Sequence, residues 1–415
     1  MGEHTFVSRK SNSDAIRRRR VALDIDVPLL LTVITLLVFG LIMVFSSSWD
    51  VSLVLYGSAT SMAVRQLGFV LLGIIAAGAL TFMNYKWLGP LAIPIMLGTI
   101  LLLVLVLFIG ETRLNATRTL FGGSVQPSEL AKLATVIYLA VWLNNKRDTL
   151  DSWGFGLLPL AAILGIVGFL IFLQPDLSAT MTVVILGGLM FFLAGGDMRR
   201  IALLLVSTVA IGGLLVMVSP TGQNRLQSYV VGLEDPLQAS YHVQRSLEAF
   251  VNGGVFGVGI GNADTKLTGL PVPPTDSIFA VIGEETGVIG AAVLIGLFII
   301  LLWRSMVIAN KAPDEFGKLL ASGLGIWLAM EALINMAVIV GLLPFAGNAL
   351  PFISYGGSNM VVTMISVGIL MSISRSGEME QYRKDTLANA FAHLRRRNRR
   401  GSVSRPRRSS GAERS

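Results

Sequence analysis

Three carboxylates enter apolar sequence together in Pro273-Pro274-Thr275-Asp276-Ser277-Ile278-Phe279-Ala280-Val281-Ile282-Gly283-Glu284-Glu285-Thr286-Gly287. Charge carried into apolar surroundings is costly unless it is protonated, paired or hydrogen-bonded, so each is a candidate functional group. For Asp276 the competing reading is a plain helix cap, a role open to Thr275 as well, because the paired prolines fix an extended approach to a helix start. Glu284 falls ~12 Å farther along such a helix and is rotated by ~80°. That is too deep to share a task with Asp276, so Glu284 and Glu285 read as anchors of a helix bundle. A second constellation opens at Gln126-Pro127-Ser128-Glu129-Leu130-Ala131-Lys132. Proline is ordinary at a helix start, and Glu129 with Lys132 has the spacing of an intrahelical ion pair. Either the pair neutralises itself, or Lys132 meets an anionic group while Glu129 holds it. The turn Gln174-Pro175-Asp176-Leu177 offers Asp176 as a cap for the helix that follows. Finally, Leu350-Pro351-Phe352-Ile353-Ser354-Tyr355-Gly356-Gly357-Ser358 is apolar but broken by Pro and Gly. Irregular backbone at membrane depth survives only where it is buried in protein or lines a cavity. Its hydroxyls and free amides either face the same cavity as Asp276 or serve packing alone.

The elements that must position these groups are membrane helices. The chain has 415 residues, 53% hydrophobic and 14% charged, with a mean hydropathy of +0.69. A soluble domain carries about 25% charged residues, and apolar runs of about 20 residues, enough to cross a hydrocarbon core, recur throughout. The fold class expected is an all-α polytopic membrane protein of ten transmembrane helices. They are placed near 27–48, 64–83, 87–110, 128–143, 155–173, 177–194, 200–218, 276–303, 317–342 and 358–374. A large extracytoplasmic loop, 219–275, separates the seventh from the eighth. The face Asp276, Ala280, Gly283, Gly287, Gly290 is small apart from its carboxylate, so either another helix packs closely there or a large ligand lies against it. Residues 1–26 form a basic N-terminal tail, 27–374 the membrane domain, and 375–415 an Arg/Ser-rich tail expected to be disordered.

Charge orients the whole. Of the 33 Lys and Arg, those outside the expected cytoplasmic segments are Arg65, Arg113, Arg118, Lys132, Arg225, Arg245 and Lys266. The positive-inside rule therefore places both termini in the cytoplasm and the polar motifs toward the outer face. The net charge of +8 resides mostly in the tails, which favours anionic lipids over nucleic acid as its partner. The absence of cysteine removes thiol chemistry and thiolate metal sites, and His4, His242 and His393 are too scattered for a metal centre. The run Gly253-Gly254-Val255-Phe256-Gly257-Val258-Gly259-Ile260-Gly261 lacks the strand–helix context of a dinucleotide loop. It reads instead as a compact or re-entrant segment.

Taken in order, these motifs resemble the SEDS family, the FtsW, RodA and SpoVE cell-wall polymerases. The resemblance also includes Gly40-Leu41-Ile42-Met43-Val44-Phe45-Ser46-Ser47-Ser48 and Glu234-Asp235-Pro236, and it runs from about Asp24 to Ser374. At Arg118-Thr119, Ser277, Arg245 and Asn359 the chain departs from the residues usual in that family. The resemblance implies a ten-helix inner-membrane protein that polymerises lipid II, an undecaprenyl-pyrophosphate-linked disaccharide-peptide, into glycan strands. The partners it implies are a class B penicillin-binding protein and other membrane proteins of the division or elongation machinery. It matches Asp276 to the family's essential aspartate, the candidate general base. It places Arg118, Gln126, Glu129, Lys132 and Ser354, Tyr355, Gly356, Gly357 and Ser358 toward the substrate, with Arg118 and Lys132 expected at the pyrophosphate. Gln174, Asp176, Glu284 and Glu285 stand behind them. A divalent cation, Mg or Mn, would suit the chemistry, although the sequence shows no acidic cage for one. The rival classes are a lipid II flippase and a non-enzymatic scaffold.

Overall fold

The structure is a computed structural model and describes residues 25–401 except 114–115, 120–124, 148–149, 151, 198, 200–201, 204–205, 208–209, 211, 214–216 and 218–219. It divides into a body, Ile25–Ser374, and a second unit that, among the described residues, is the end of the last helix from Arg375 onward.

Helix α1 (Val27–Tyr56) starts where Asp26 accepts from Leu29 N at 3.0 Å, and it stops at left-handed Gly57. Its exposed stripe, Leu31, Ile34, Val38, Ile42 and Phe45, faces outward at helical spacing, as expected of a surface that meets lipid. Helix α2 (Ser61–Phe82) returns antiparallel, and α3 (Leu88–Ile109) follows a short 3₁₀ turn. A two-stranded antiparallel hairpin, β1 (Glu111–Arg113) and β2 (Ala116–Thr119), lies between the third and fourth expected spans. Then come α4 (Pro127–Asn145), α5 (Leu158–Phe172) and α6 (Leu177–Leu193). The seventh expected span, 200–218, lies largely outside the described residues. Two further helices, α7 (Pro220–Glu234) and α8 (Tyr241–Gly253), stand within the long loop 219–275. Helices α9 (Ile278–Lys311), α10 (Glu315–Ile339) and α11 (Gly357–Gly401) complete the chain. The last runs on through much of the expected disordered tail, because that stretch is rich in helix formers and has no proline before Gly401.

Among the described residues, six helices are long and apolar enough to cross a membrane: α1, α2, α3, α9, α10 and α11 up to Lys384. Helices α5 and α6 are apolar but shorter, and α4 carries Glu129 and Lys132. In lipid, helix association depends on close fit at small residues. Gly325 of α10 meets Ser305 of α9, and Gly73 of α2 meets Met364 of α11. One end of the bundle is fixed by ion pairs between elements: Arg304 to Asp26 at 2.5 Å, Lys86 to Asp314 at 3.2 Å and Arg147 to Glu315 at 3.4 Å. Asp276 and the irregular segment 343–356 lie at the opposite end.

Candidate active site

Asp276 stands one residue ahead of the first helical cap. The cap position of α9 is Ser277, whose side chain makes no capping bond, so the simple cap reading fails for the residue that was expected to fill it. The backbone carbonyl of Asp276 accepts from Asn335 Nδ2 of α10 at 3.0 Å. The preceding residues are held by the Ser354 segment: Ser354 Oγ donates to Thr275 O at 2.7 Å and Tyr355 N to Pro274 O at 2.8 Å. A Cβ placed on Gly347 would fall 2.8 Å from Asp276 Oδ2. The half-buried carboxylate therefore rests against a bare stretch of backbone that only glycine provides.

The same loop knits in the other motifs. Asn348, buried beside Gly347, accepts from Asn335 through its carbonyl at 2.5 Å and donates Nδ2 to Glu331 O at 3.2 Å. Gly347 O accepts from Ser178 Oγ at 3.2 Å, and that hydroxyl also lies 3.0 Å from Asp176 Oδ1. Asp176 does cap α6, accepting from Ala179 N at 3.1 Å, but its other oxygen accepts from Gln126 Nε2 at 3.3 Å and Ser128 Oγ at 3.2 Å. Gln126 N in turn donates to Ser358 Oγ at 2.8 Å. Gln174, fully buried, donates to Leu103 O of α3 at 3.1 Å and so pins the α5–α6 turn. Gln126, Asp176, Ser358 and the Asp276 loop are thus one hydrogen-bonded rim.

Lys132 lies beneath this rim rather than on it. It is fully buried, bonded to Glu129 Oε1 at 2.8 Å and to Glu331 of α10, with the Trp327 ring 5.8 Å away. Asn359 Nδ2 donates to the second oxygen of Glu129 at 3.2 Å. The intrahelical pair read from the spacing therefore makes up two members of a triad that joins α4 to α10, with Asn359 tying it to α11.

Glu284 and Glu285 are placed by the loop between α8 and α9. Glu284 accepts from Asp264 N at 3.1 Å and from Thr265 through both its amide and its hydroxyl. Glu285 pairs with Lys266 at 2.6 Å, and Lys266 also reaches Ser46 Oγ at 3.0 Å. Between them and the transmembrane part, α9 breaks at Gly287 (φ 68°, ψ −173°). The backbone groups freed there are satisfied by the glycine-rich loop: Val258 N to Glu284 O and Val288 N to Gly254 O, each 3.0 Å. The small-residue face is covered by α8 and this loop, with Gly253 against the Gly283 carbonyl and Gly287 against the Val255 carbonyl. A close helix neighbour, not a ligand, accounts for it.

The chain matches the family described as "Cell cycle protein", FtsW/RodA/SpoVE, over residues 27–379. The chain belongs to that family. It is 37% identical over 355 residues to the "Probable peptidoglycan glycosyltransferase FtsW" of Geobacter sp. (strain M18), covering 84% of this chain and 96% of the relative. It is also 37% identical over 356 residues to the "Stage V sporulation protein E" of Bacillus subtilis (strain 168), covering 84% and 96%. Among solved structures it is similar to the rod shape determining protein RodA of Thermus thermophilus, with TM-score 0.64, 27% identity and 85% of this chain and 97% of that one covered. A chain from work on polymerization and crosslinking by a peptidoglycan synthase complex gives TM-score 0.70 at 27% identity, covering 86% and 99%.

In this FtsW/RodA/SpoVE chain several site residues have no counterpart in the sequence reading. Arg65 of α2 is exposed, lies 4.3 Å over the Tyr56 ring and acts electrostatically on the Tyr355 hydroxyl. Burial and then Tyr56 push the Tyr355 hydroxyl above its ordinary value, against Arg65, so Tyr355 remains a neutral donor at physiological pH. Gln66 next to it bonds both sides of the same segment, Ser354 O at 3.3 Å and Gly356 N at 3.2 Å. Glu331, Asn335 and Asn348 were likewise unremarked, although a lone acid within an apolar span was a readable signal. Arg118 lies in β2, and its side chain falls outside the described residues. Among the described residues no three of His, Cys, Asp and Glu gather to hold a metal ion. Chemically, the rim offers a half-buried carboxylate against bare backbone, an exposed guanidinium, and several neutral donors.

Proposed function

We infer that this chain is a peptidoglycan glycosyltransferase that polymerises lipid II, acting in division or cell shape. The reading rests on one observation above all: Asp276, in a chain matched to the family over residues 27–379, presents its carboxylate where α9, α10 and the 343–356 loop converge. The reaction joins a sugar 4-hydroxyl to an anomeric carbon as the lipid pyrophosphate departs, with inversion of configuration. Asp276 would take the hydroxyl proton, which requires hydrogen-bond reach rather than an extreme environment. The bare backbone at Gly347 leaves space for the carboxylate, and the carbonyl held by Asn335 fixes its height.

Pyrophosphate needs charge-assisted donors. Arg65, exposed beside Tyr355, and Arg118 are assigned that task, with Gln126, Ser354, Gly356, Gly357 and Ser358 forming the polar wall between them and Asp276. Lys132, enclosed by two carboxylates, contributes by holding the helices that carry the site. Gln174, Asp176, Glu284 and Glu285 support the rim. Ten spans, with both termini in the cytoplasm and the site at the outer face of the cytoplasmic membrane, fit the basic residues gathered at the Asp26–Arg304 end. The partner is a class B penicillin-binding protein supplying the transpeptidase, a reading supported by similarity to a chain of a peptidoglycan synthase complex.

The test is incubation of the purified protein, with its penicillin-binding protein, on labelled lipid II. Glycan ladders are expected. Transfer of lipid II across vesicle membranes without polymer would favour the flippase reading, and neither outcome would leave a scaffold.

A further inference from the structure

The triad beneath the rim has more acid than base. Glu129 and Lys132 project from α4 and Glu331 from α10, all three buried. Asp176, at the α5–α6 turn, joins the same cluster through Ser128 of α4, the residue before Glu129. Among the described residues the cation paired with Glu331 is Lys132. Three carboxylates against one ammonium is an arrangement that burial penalises heavily, since each uncompensated ion keeps its desolvation cost.

The hydrogen bonds distinguish the three acids. Asp176 is served by Gln126, Ser128, Ser178 and the Ala179 amide. Both oxygens of Glu129 are occupied, one by Lys132 and the other by Asn359. Glu331 has Lys132 on one oxygen only, and its Oε2 is buried without a hydrogen-bond partner. An ionised carboxylate with a single donor and two acidic neighbours is the least supported of the set.

We propose that Glu331 holds a proton in the resting protein, leaving Lys132–Glu129 as the ion pair and making Glu331 a neutral positioning residue that docks α10 on α4. Its consequence for the site runs along α10. Asn335, one turn on, holds the Asp276 carbonyl, while the Glu331 carbonyl accepts from Asn348, next to Gly347. The height of α10 against α4 therefore sets the position of the loop and carbonyl that frame Asp276. The inference concerns charge balance and does not depend on which reaction the site performs.

The test compares purified wild type, Glu331→Gln, Glu129→Gln and the double variant by infrared spectroscopy and thermal melting. Glutamine reproduces the shape and neutrality of a protonated glutamate. The wild-type spectrum is expected to hold the C=O band of a protonated carboxyl group that is missing in Glu331→Gln, while the melting temperature of that variant stays unchanged. Glu129→Gln is expected to melt lower, because it forces Glu331 to ionise with one donor. The double variant, which strands Lys132, should fall by more than the sum of the singles. Absence of the band difference, or a Glu331→Gln protein that fails to fold or melts below Glu129→Gln, would overturn the proposal.

Discussion

Gly347→Ala isolates the geometry of Asp276 from its chemistry. The added methyl would lie 2.8 Å from Asp276 Oδ2, against 3.4–4 Å for an ordinary contact, so the carboxylate must move by about 0.6 Å or more. Gly347 is not among the glycines with positive φ, which makes alanine acceptable to the backbone. The displaced atom is also the far end of a side chain rather than backbone. The cost to stability is therefore expected to be small. The cost to activity is not, because a misplacement of about 1 Å in a reacting group is worth on the order of 100-fold. A loss of roughly 10- to 100-fold in lipid II polymerisation is expected, with melting unchanged. Gly98→Ala is the control: nothing stands within 4 Å of it in α3, and alanine there gains up to about 1 kcal/mol of helix propensity. Wild-type polymerisation by Gly347→Ala would refute the claim that this carboxylate must sit against bare backbone.

Other substitutions test the supports. Lys132→Met leaves buried carboxylate without its ammonium and should destabilise by about 3–5 kcal/mol, read as a lowered melting temperature in detergent. Gly287→Ala forces a side chain into φ 68° and drives a methyl into the Val255 carbonyl. Strain and overpacking together predict a loss of about 2–5 kcal/mol, measured in the same way. His242, outside the spans, stacks on Phe345 at 4.0 Å, and burial followed by Arg225 lowers its pKa below 6.5. The folded state then binds fewer protons than the unfolded one below pH 6.5, so stability falls with pH in the window beneath that value. Melting curves across that window should show a dependence that weakens in His242→Gln; an unaltered dependence would exclude His242 as its source.

How much of this was legible follows from the physics of each element. Apolar runs of membrane length announce themselves, and α1, α2, α3, α9, α10 and α11 all overlap the expected spans. Helices α7 and α8 lack any such run. The buried stripe of α8, Val243, Ser246, Ala249 and Gly253, is short and made largely of small residues, so it passed for loop. Asp276, Gln126, Asp176 and Ser358 stood out because polar groups in apolar sequence demand a reason. Their mutual bonds did not, since each joins segments far apart in the chain. Lys132 illustrates the difference. Its spacing to Glu129 was visible, but its burial and its second partner, Glu331, depend on how α10 packs against α4. Lys266 and Glu285 are a like case, joined only because the glycine-rich loop folds back against the break at Gly287.

The central claim is that Asp276 is the base of a lipid II polymerase, and Asp276→Asn tests it most directly. Asparagine keeps the shape and the backbone bond from Asn335 but cannot accept the proton. Purified variant and wild type, each with the partner transpeptidase and labelled lipid II, are compared for glycan ladders and for melting temperature. The account predicts no polymer from a variant that melts like wild type. Ladders of wild-type length and yield from Asp276→Asn would contradict it.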